Sequence, residues 1–398
     1  MRSLLTSTLK TSFTAFLVFV GVFTHAQSGY SFKFNEQELR NKSNLAIEVP
    51  DGNYIVKIKL GNTDRSTLTT VRAESSRLLL NNIVTQKGEF KTFKFTVNKR
   101  DKFITPDETV QLKTRELDKK NWDKYLSLAF DGEQAGVHSI EIKPNKKAIT
   151  VFLCGNSTVV DQDSEPWAAW GQVIPAFFNE KVSFANYAES GESSNTFLNA
   201  KRFEKALTFM KKGDYVFIEF GHNDEKQKGE DKGAYKHFTK SLKVYIDEAR
   251  KKGAYPILLT PTQRRHFNVS GKIIETHGDF PQAVKDLAAK ENVPVIDLTT
   301  LTTELYYALG VEGSKKALVH YPANTFPGQD EDLADNTHFN SYGAVQVAKC
   351  IIQGLIDNQI PLTKHLRDRK FDYSPIHPDD PDTFQWILSA DYKIGEAF

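Results

Sequence analysis

Only two cysteines, Cys154 and Cys350, occur in 398 residues. Two thiols are too few for a disulfide scaffold. Cys154 falls in a predicted core strand and Cys350 in a predicted helix far along the chain. Both are expected to be buried free thiols that pack as small apolar groups. An excess of charge is missing as well. Lys and Arg number 52 against 50 Asp and Glu, and the first 26 residues hold Arg2 and Lys10 but no acid. The remainder is therefore balanced. No global field favours nucleic acid or a membrane surface, so an acidic ligand must be held by local basic groups. After residue 26 no apolar run approaches the roughly 20 residues that span a bilayer. No His-x-x-x-His or Glu-x-x-His pair falls on a predicted helix, which weakens a metal reading of His222, Asp224, Asp335 and His338. No cofactor and no metal are expected. Internal repeats and low-complexity segments are absent too.

What is present fits a folded, water-facing chain: 39% hydrophobic and 26% charged residues. Residues 1–26 stand apart. Arg2 and Lys10 give a positive start, Thr14 to Phe23 is almost wholly apolar, and Thr24-His25-Ala26 ends on a small residue. That layout predicts a secretory signal peptide and an exported protein, periplasmic or secreted. The apolar core is too short for a membrane anchor, and no cysteine stands at the presumed cut to carry a lipid.

From residue 27 to 145 the pattern has period two. Tyr54, Val56, Ile58 and Leu60 alternate with Ile55, Lys57 and Lys59, and Phe93, Phe95 and Val97 alternate with Lys94 and Thr96. Asp51-Gly52 and Lys87-Gly88 are turn signals. An all-β jelly-roll sandwich is expected. The link Pro144-Asn145-Lys146-Lys147 leaves no room for a long tether, so two closely packed domains are expected. The second spans 148–365. There, apolar strand candidates at Ile149–Gly155, Val182–Tyr187, Tyr215–Phe220, Tyr255–Leu259 and Val293–Ile296 alternate with helical patterns such as Phe238, Leu242, Tyr245, Ile246 and Ala249. This predicts an α/β domain with a parallel sheet between two helical layers. Residues 366–398 are rich in Asp and Pro but carry Phe384, Trp386, Ile387 and Leu388, and are expected to dock on the surface.

The run Ile149 to Val159 organises the rest. A buried strand ends in Gly155, and Asn156-Ser157 follow at the rim where such sheets bind ligands. Other strand ends bring Gly191, then Gly221-His222-Asn223-Asp224, then Arg264-Arg265, and Asp335-x-x-His338 precedes the last helix. All would crowd one sheet edge, as an active site requires. The parts suit acyl transfer. A serine hydroxyl needs a base, and His338 can supply it. Asp335 can fix the imidazole tautomer. The N–H groups of Ser157 and Gly191 and the amide of Asn223 can meet the oxyanion. Each residue also has a plain role: Asn223 or Asp335 as helix caps, His222 as a structural donor, Gly191 as a turn former.

These blocks resemble those of the SGNH (GDSL-type) hydrolases. The resemblance implies a flavodoxin-like three-layer α/β/α fold, Ser157 as nucleophile, Asp335 and His338 completing the triad, and Gly191 and Asn223 in the oxyanion hole. The wider wording, Trp170-Gly171-Gln172, Gly221-His222-Asn223-Asp224, Thr260-Pro261-Thr262-Gln263-Arg264-Arg265 and Asp335-Asn336-Thr337-His338-Phe339, is similar to the rhamnogalacturonan acetylesterase branch. The N-terminal part is similar in style to galactose-binding-like sandwiches. One departure stands out: the family usually has Asp before the nucleophile, and this chain has Asn156. If that acid's charge sets the histidine's basicity, the pH profile shifts; if it only shapes the turn, activity survives. The Gly-x-Ser-x-Gly elbow of the α/β-hydrolases is absent at Ser157 and Ser193.

An exported chain with a companion sandwich suits an acetylated polysaccharide or oligosaccharide substrate, with rhamnogalacturonan first and xylan or another sugar ester as the rival. Trp167 and Trp170 can stack on sugar rings, His222 can contact substrate, and Arg264, Arg265, Lys201 and Arg202 can grip uronate carboxylates. A carbohydrate-binding protein with activity lost through Asn156 is the alternative from another class, and a lipase or thioesterase is a third. The sequence is silent on oligomeric state.

Overall fold

Alternating apolar residues build two facing antiparallel sheets before the chain changes period. The computed structural model describes residues 31–39, 42–162 and 164–389. The predicted signal segment lies outside them. Strands β1 (Phe32–Phe34), β2 (Asn44–Glu48), β3 (Gly52–Gly61), β4 (Thr67–Ala73), β5 (Arg77–Thr85) and β6 (Phe90–Lys99) are followed by a small ribbon, β7 (Phe103–Thr105) and β8 (Glu108–Thr109). Strands β9 (Tyr125–Asp131) and β10 (Val137–Pro144) complete the region. The sheets run β1-β10-β3-β6 and β2-β9-β4-β5. Register places Val56 opposite both Phe95 and Ile142, and Ile58 opposite Ile140. These side chains are buried between the sheets with Leu126, Leu128 and Phe130 of β9. The lysines at 57 and 59 point the other way, as the pleat requires.

The parallel sheet begins at Ile149. Its strands are β11 (Ile149–Gly155), β12 (Val182–Asn186), β13 (Tyr215–Glu219), β14 (Tyr255–Leu259) and β15 (Val295–Ile296), in the order β12-β11-β13-β14-β15. That is the flavodoxin-like order, whose topological switch lies at the carboxyl end of the first strand. Ser157 follows that strand end. Residues alternate between two cores: Val151, Leu153 and Phe217 face the helices Leu298–Gly313 and Ser341–Asp357. Phe152, Cys154 and Ile218 face Arg202–Phe209, Thr239–Lys251 and Phe280–Glu291. Both cysteines are free and buried. A further antiparallel pair, β16 (Leu318–Tyr321) and β17 (Leu333–Phe339), was not legible in the sequence; it carries Asp335 and His338.

Charged pairs tie the sandwich to the parallel-sheet region. Arg77 of β5 binds the Asp161 carboxylate through Nε at 3.1 Å and Nη2 at 2.9 Å. Arg202 meets Glu116, which follows the ribbon, through two hydrogen bonds, one of 2.9 Å, and both side chains are 0% exposed. This overturns the expectation that Arg202 grips substrate: its guanidinium is a buried strut. Lys201 is paired with Glu108. Glu116 also accepts the Trp122 indole N–H at 3.1 Å and the Lys113 backbone N–H at 2.9 Å. Glu116→Ala leaves a buried guanidinium without this counter-charge, which costs about 3–5 kcal/mol. Chemical denaturation should show that loss for Glu116→Ala and a loss for Glu116→Gln as well, whose single amide oxygen can accept on one side only and whose NH₂ faces donors on the other.

Residues 366–389 run as a strap over the surface. Asp379 accepts the Tyr342 hydroxyl through its carbonyl at 2.6 Å, Gln385 accepts Asn82 Nδ2 at 3.0 Å, and Trp386 Nε1 donates to Glu165 at 3.1 Å. The strap thus touches both the helix Ser341–Asp357 and the sandwich.

Candidate active site

The turn after β11 is closed by Asn156, whose carbonyl accepts the N–H groups of Val159 at 3.1 Å and Val160 at 3.0 Å. Gly155 must be small here, because a Cβ would collide with Val159. The turn lifts Ser157 to the rim. Its Oγ lies 2.8 Å from His338 Nε2, although 181 residues separate them. His338 Nδ1 lies 2.7 Å from Asp335 Oδ2. Asp335 Oδ1 accepts the backbone N–H groups of Thr337 at 2.8 Å and His338 at 2.9 Å. The chain Ser157–His338–Asp335 is thus hydrogen-bonded end to end. Burial would raise the Asp335 carboxyl. The hydrogen bond and charge of His338 and the two N–H donors outweigh it and hold the group at about 2. Asp335 therefore stays ionised across the working range. Its pairing stabilises the fold fully above the ordinary 3.8, and that contribution is lost as pH falls through about 2.

Gly191 sits in the loop after β12 with φ +78°, a conformation glycine adopts freely. Asn223 follows β13. One of its amide N–H groups donates to the Glu192 carbonyl at 3.0 Å, and its Oδ1 accepts from Lys226 at 3.1 Å, which leaves the second N–H. Asp224 locks the two loops together: its carboxylate accepts the backbone N–H groups of Ser194 at 2.9 Å and Gly221 at 3.2 Å, and the Ser194 hydroxyl. Burial lifts Asp224 to about 6 despite those donors.

The predicted substrate contacts fare differently. Trp167 and Trp170 are 2% and 1% exposed and present no face to a sugar ring. Large apolar rings at helical spacing serve the core, and Trp170 donates its indole N–H to Glu219. Arg265 is also a correction. Its guanidinium is spent on Ser314 Oγ at 2.9 Å, Asn336 Oδ1 at 3.2 Å and the Val311 carbonyl. Through Asn336 it steadies strand β17 next to Asp335. Arg264 is held by Glu225 and by Thr276 Oγ1 at 3.2 Å, so it offers no free cation. His222 is 3% exposed and packs edge-on against His277 at 4.8 Å. Burial, then the charges of His277, Arg264 and His338, push its pKa well down. Neither of its ring nitrogens has a partner among the described residues, and both are buried away from the surface.

Two sets of groups at the site carried no sequence signal. The first is a cationic clamp from the stretch before β9. Lys113 Nζ donates to the Ser190 carbonyl at 2.6 Å and pairs with Glu192 at 2.8 Å, and Arg115 pairs with Glu189 at 2.8 Å. These residues grip the loop that bears Gly191. The second is Glu219, at the end of β13. Thr158 Oγ1 lies 2.9 Å from Asn156 Oδ1 and 2.7 Å from Glu219 Oε1. The Asn156 amide is oriented by the Thr158 N–H, which donates to Oδ1 at 3.0 Å. A hydroxyl has one proton. With two acceptors facing it, both contacts are good hydrogen bonds only when Glu219 is protonated and donates. Burial moves Glu219 in that direction, from 4.5 to about 7.

Between those two values the folded chain holds a proton that the unfolded chain releases, so this group lowers stability as pH rises from 4.5 to about 7. Glu219→Gln keeps a donor toward Thr158 and is expected to flatten that slope while retaining activity. Glu219→Ala should lose activity through a loosened Ser157 turn. Urea titrations at several pH values check the first expectation. Asn156→Asp places a like charge beside Glu219 and should raise its pKa further, visible as a shifted pH–rate curve. An unchanged curve would mean that residue 156 acts on the turn alone.

Residues 151–351 match the family described as GDSL-like lipase/acylhydrolase. Rhamnogalacturonan acetylesterase RhgT of Bacillus subtilis (strain 168) is 42% identical over 227 residues, 56% of this chain and 97% of that protein. The probable rhamnogalacturonan acetylesterase YesY of the same organism is 32% identical over 219 residues, 54% of this chain and 96% of that protein. Among solved structures, the crystal structure of Bacillus subtilis YxiM is similar at 25% identity and a TM-score of 0.48, covering 80% of this chain and 81% of that one.

Proposed function

The chain belongs to the GDSL-like lipase/acylhydrolase family and is a carboxylic ester hydrolase of the carbohydrate acetylesterase kind; from that premise we propose that it is an exported enzyme that removes O-acetyl groups from rhamnogalacturonan through an acetyl-enzyme on Ser157. The observation that carries this reading is the unbroken Ser157–His338–Asp335 relay, with contacts of 2.8 and 2.7 Å.

The Ser157 hydroxyl attacks the acetyl carbonyl carbon while His338 Nε2 takes its proton. Ionised Asp335 holds the proton on Nδ1 and stabilises the imidazolium. The carbonyl oxygen becomes an oxyanion that meets the N–H groups of Ser157 and Gly191 and the free amide N–H of Asn223. On collapse, His338 returns its proton to the departing sugar hydroxyl. A water then attacks the acetyl-serine, with His338 again as base, and acetate leaves. Asp335 is ionised down to about 2, so its charge is in place throughout the cycle.

The test is acetate release from a panel of acetylated polysaccharides. The reading expects release from rhamnogalacturonan and little from xylan. Release from xylan alone would move the substrate, and release from neither would remove the polysaccharide reading.

A further inference from the structure

The strap, which lies outside the 151–351 family match, closes one side of a cleft whose other lining includes Glu165, His320, Phe326 and Asn340, of which Asn340 lies two residues beyond His338 in sequence. The strap from Pro381 to Leu388 and the β16–β17 hairpin enclose a cavity of about 520 Å³, within the ~300–1,000 Å³ range of small-ligand pockets. One wall is the ring pair Phe384 and Trp386, stacked at 6.2 Å with 18° between their planes. From the hairpin side comes Phe326, edge-on to Tyr321 at 4.9 Å. All four rings are half-buried.

The polar lining is sparse. Glu165, 9% exposed, accepts the Trp386 indole N–H through Oε1 at 3.1 Å. A carboxyl has acceptor capacity beyond that one bond. Burial, only partly offset by that indole and by Arg72, raises its pKa. Lys316 is neutralised by Asp382, and burial lowers the pKa of His320. The lining is therefore not cationic. His320 links the cleft to the chemistry: its Nε2 lies 2.9 Å from Asn336 Oδ1, and Asn336 is the neighbour of Asp335.

We propose that this cleft is a glycan subsite that takes a neutral sugar unit of the polymer chain flanking the acetylated one. The inference rests on the esterase reading above and adds the strap as a specificity element. Aromatic walls suit the apolar C–H face of a sugar, and the Glu165 carboxyl suits its hydroxyls. A uronate is disfavoured because its charge would enter a half-buried space in which Lys316 is already neutralised by Asp382. Position agrees: Asn340 of the lining follows His338 by two residues, and His320 of the lining bonds Asn336 beside Asp335.

The test compares Phe326→Ala and Trp386→Ala with wild type on acetylated rhamnogalacturonan fragments and on 4-nitrophenyl acetate. KM for the fragments should rise about tenfold in each variant, the scale of losing one aromatic contact, with a much smaller change in kcat/KM for the small ester. Equal changes on both substrates, or an unmoved KM for the fragments, would overturn the subsite. Trp386 also packs under Arg72 at 5.0 Å, so Phe326→Ala on the opposite wall carries the decision if Trp386→Ala is unstable. Calorimetric titration of Ser157→Ala protein with deacetylated fragments separates the two readings. If binding is weakened about tenfold by adding Phe326→Ala, while wild type releases no acetate, the subsite stands and the esterase reading fails. If acetate is released but binding ignores Phe326, the esterase reading stands and the subsite fails.

Discussion

Ser157→Ala is expected to cut kcat for acetate release by about 10⁶-fold, the scale seen when a triad nucleophile or its base is removed alone. Among the described residues the hydroxyl makes one side-chain hydrogen bond, at 2.8 Å to His338 Nε2, and the turn that presents it is held by backbone bonds from Val159 and Val160 to Asn156. The variant should therefore fold as wild type does. His338→Ala should lose a similar factor, and the double variant little more, since the two residues act as one unit. Steady-state acetate release by the single and double variants, beside their urea midpoints, checks both statements. Additive losses would mean that Ser157 and His338 work independently.

Asp335→Asn is expected to lose about 10⁴-fold in kcat while the fold is retained. The reason is local. Oδ1 of Asp335 accepts two backbone N–H groups, at 2.8 and 2.9 Å, so an amide there must keep its oxygen on that side. Its NH₂ then faces His338 Nδ1, now 2.7 Å from Oδ2. That donor forces the imidazole proton onto Nε2, which points at Ser157. A protonated Nε2 cannot accept the serine proton. Activity should recover as pH rises, as hydroxide begins to substitute for the blocked base. A loss of less than about tenfold would mean that the carboxylate does not set the tautomer.

Much of the architecture was legible because period and punctuation agree. Tyr54, Val56, Ile58 and Leu60 alternate in sequence and all face the sandwich core. The strand candidates at Ile149–Gly155 and Tyr255–Leu259 coincide with β11 and β14, and the other three differ only at their ends. The site blocks were legible because a parallel sheet delivers its strand ends to one rim, so Ser157, Gly191 and Asn223 could be placed without coordinates. The β16–β17 hairpin was not. Its short strands straddle a polar loop, and nothing in Leu333 to Phe339 separates a strand from a helix entry.

Residue types misled where one chemistry serves two ends. Trp170 has the ring that stacks on sugars, and it fills the core because its indole N–H finds Glu219. Arg202 and Arg265 have the fork that grips carboxylates and amides, and they grip Glu116 and Asn336. Such partners lie tens of residues away, and no local pattern reveals them. Glu219 was missed for the same reason: its importance lies in a hydrogen-bonded chain through Thr158 to Asn156 that it completes from across the fold. The strap was readable only as apolar residues in an acidic tail, because its purpose depends on what faces Phe384 and Trp386.

The most direct test is covalent trapping with an acyl-like organophosphonate, followed by peptide mass mapping. An activated serine next to a functioning base predicts a single adduct on the peptide containing Ser157, forming quickly in the wild-type protein and slowly in His338→Ala. Labelling of a different residue, or labelling of Ser157 that is equally fast without His338, would contradict the account.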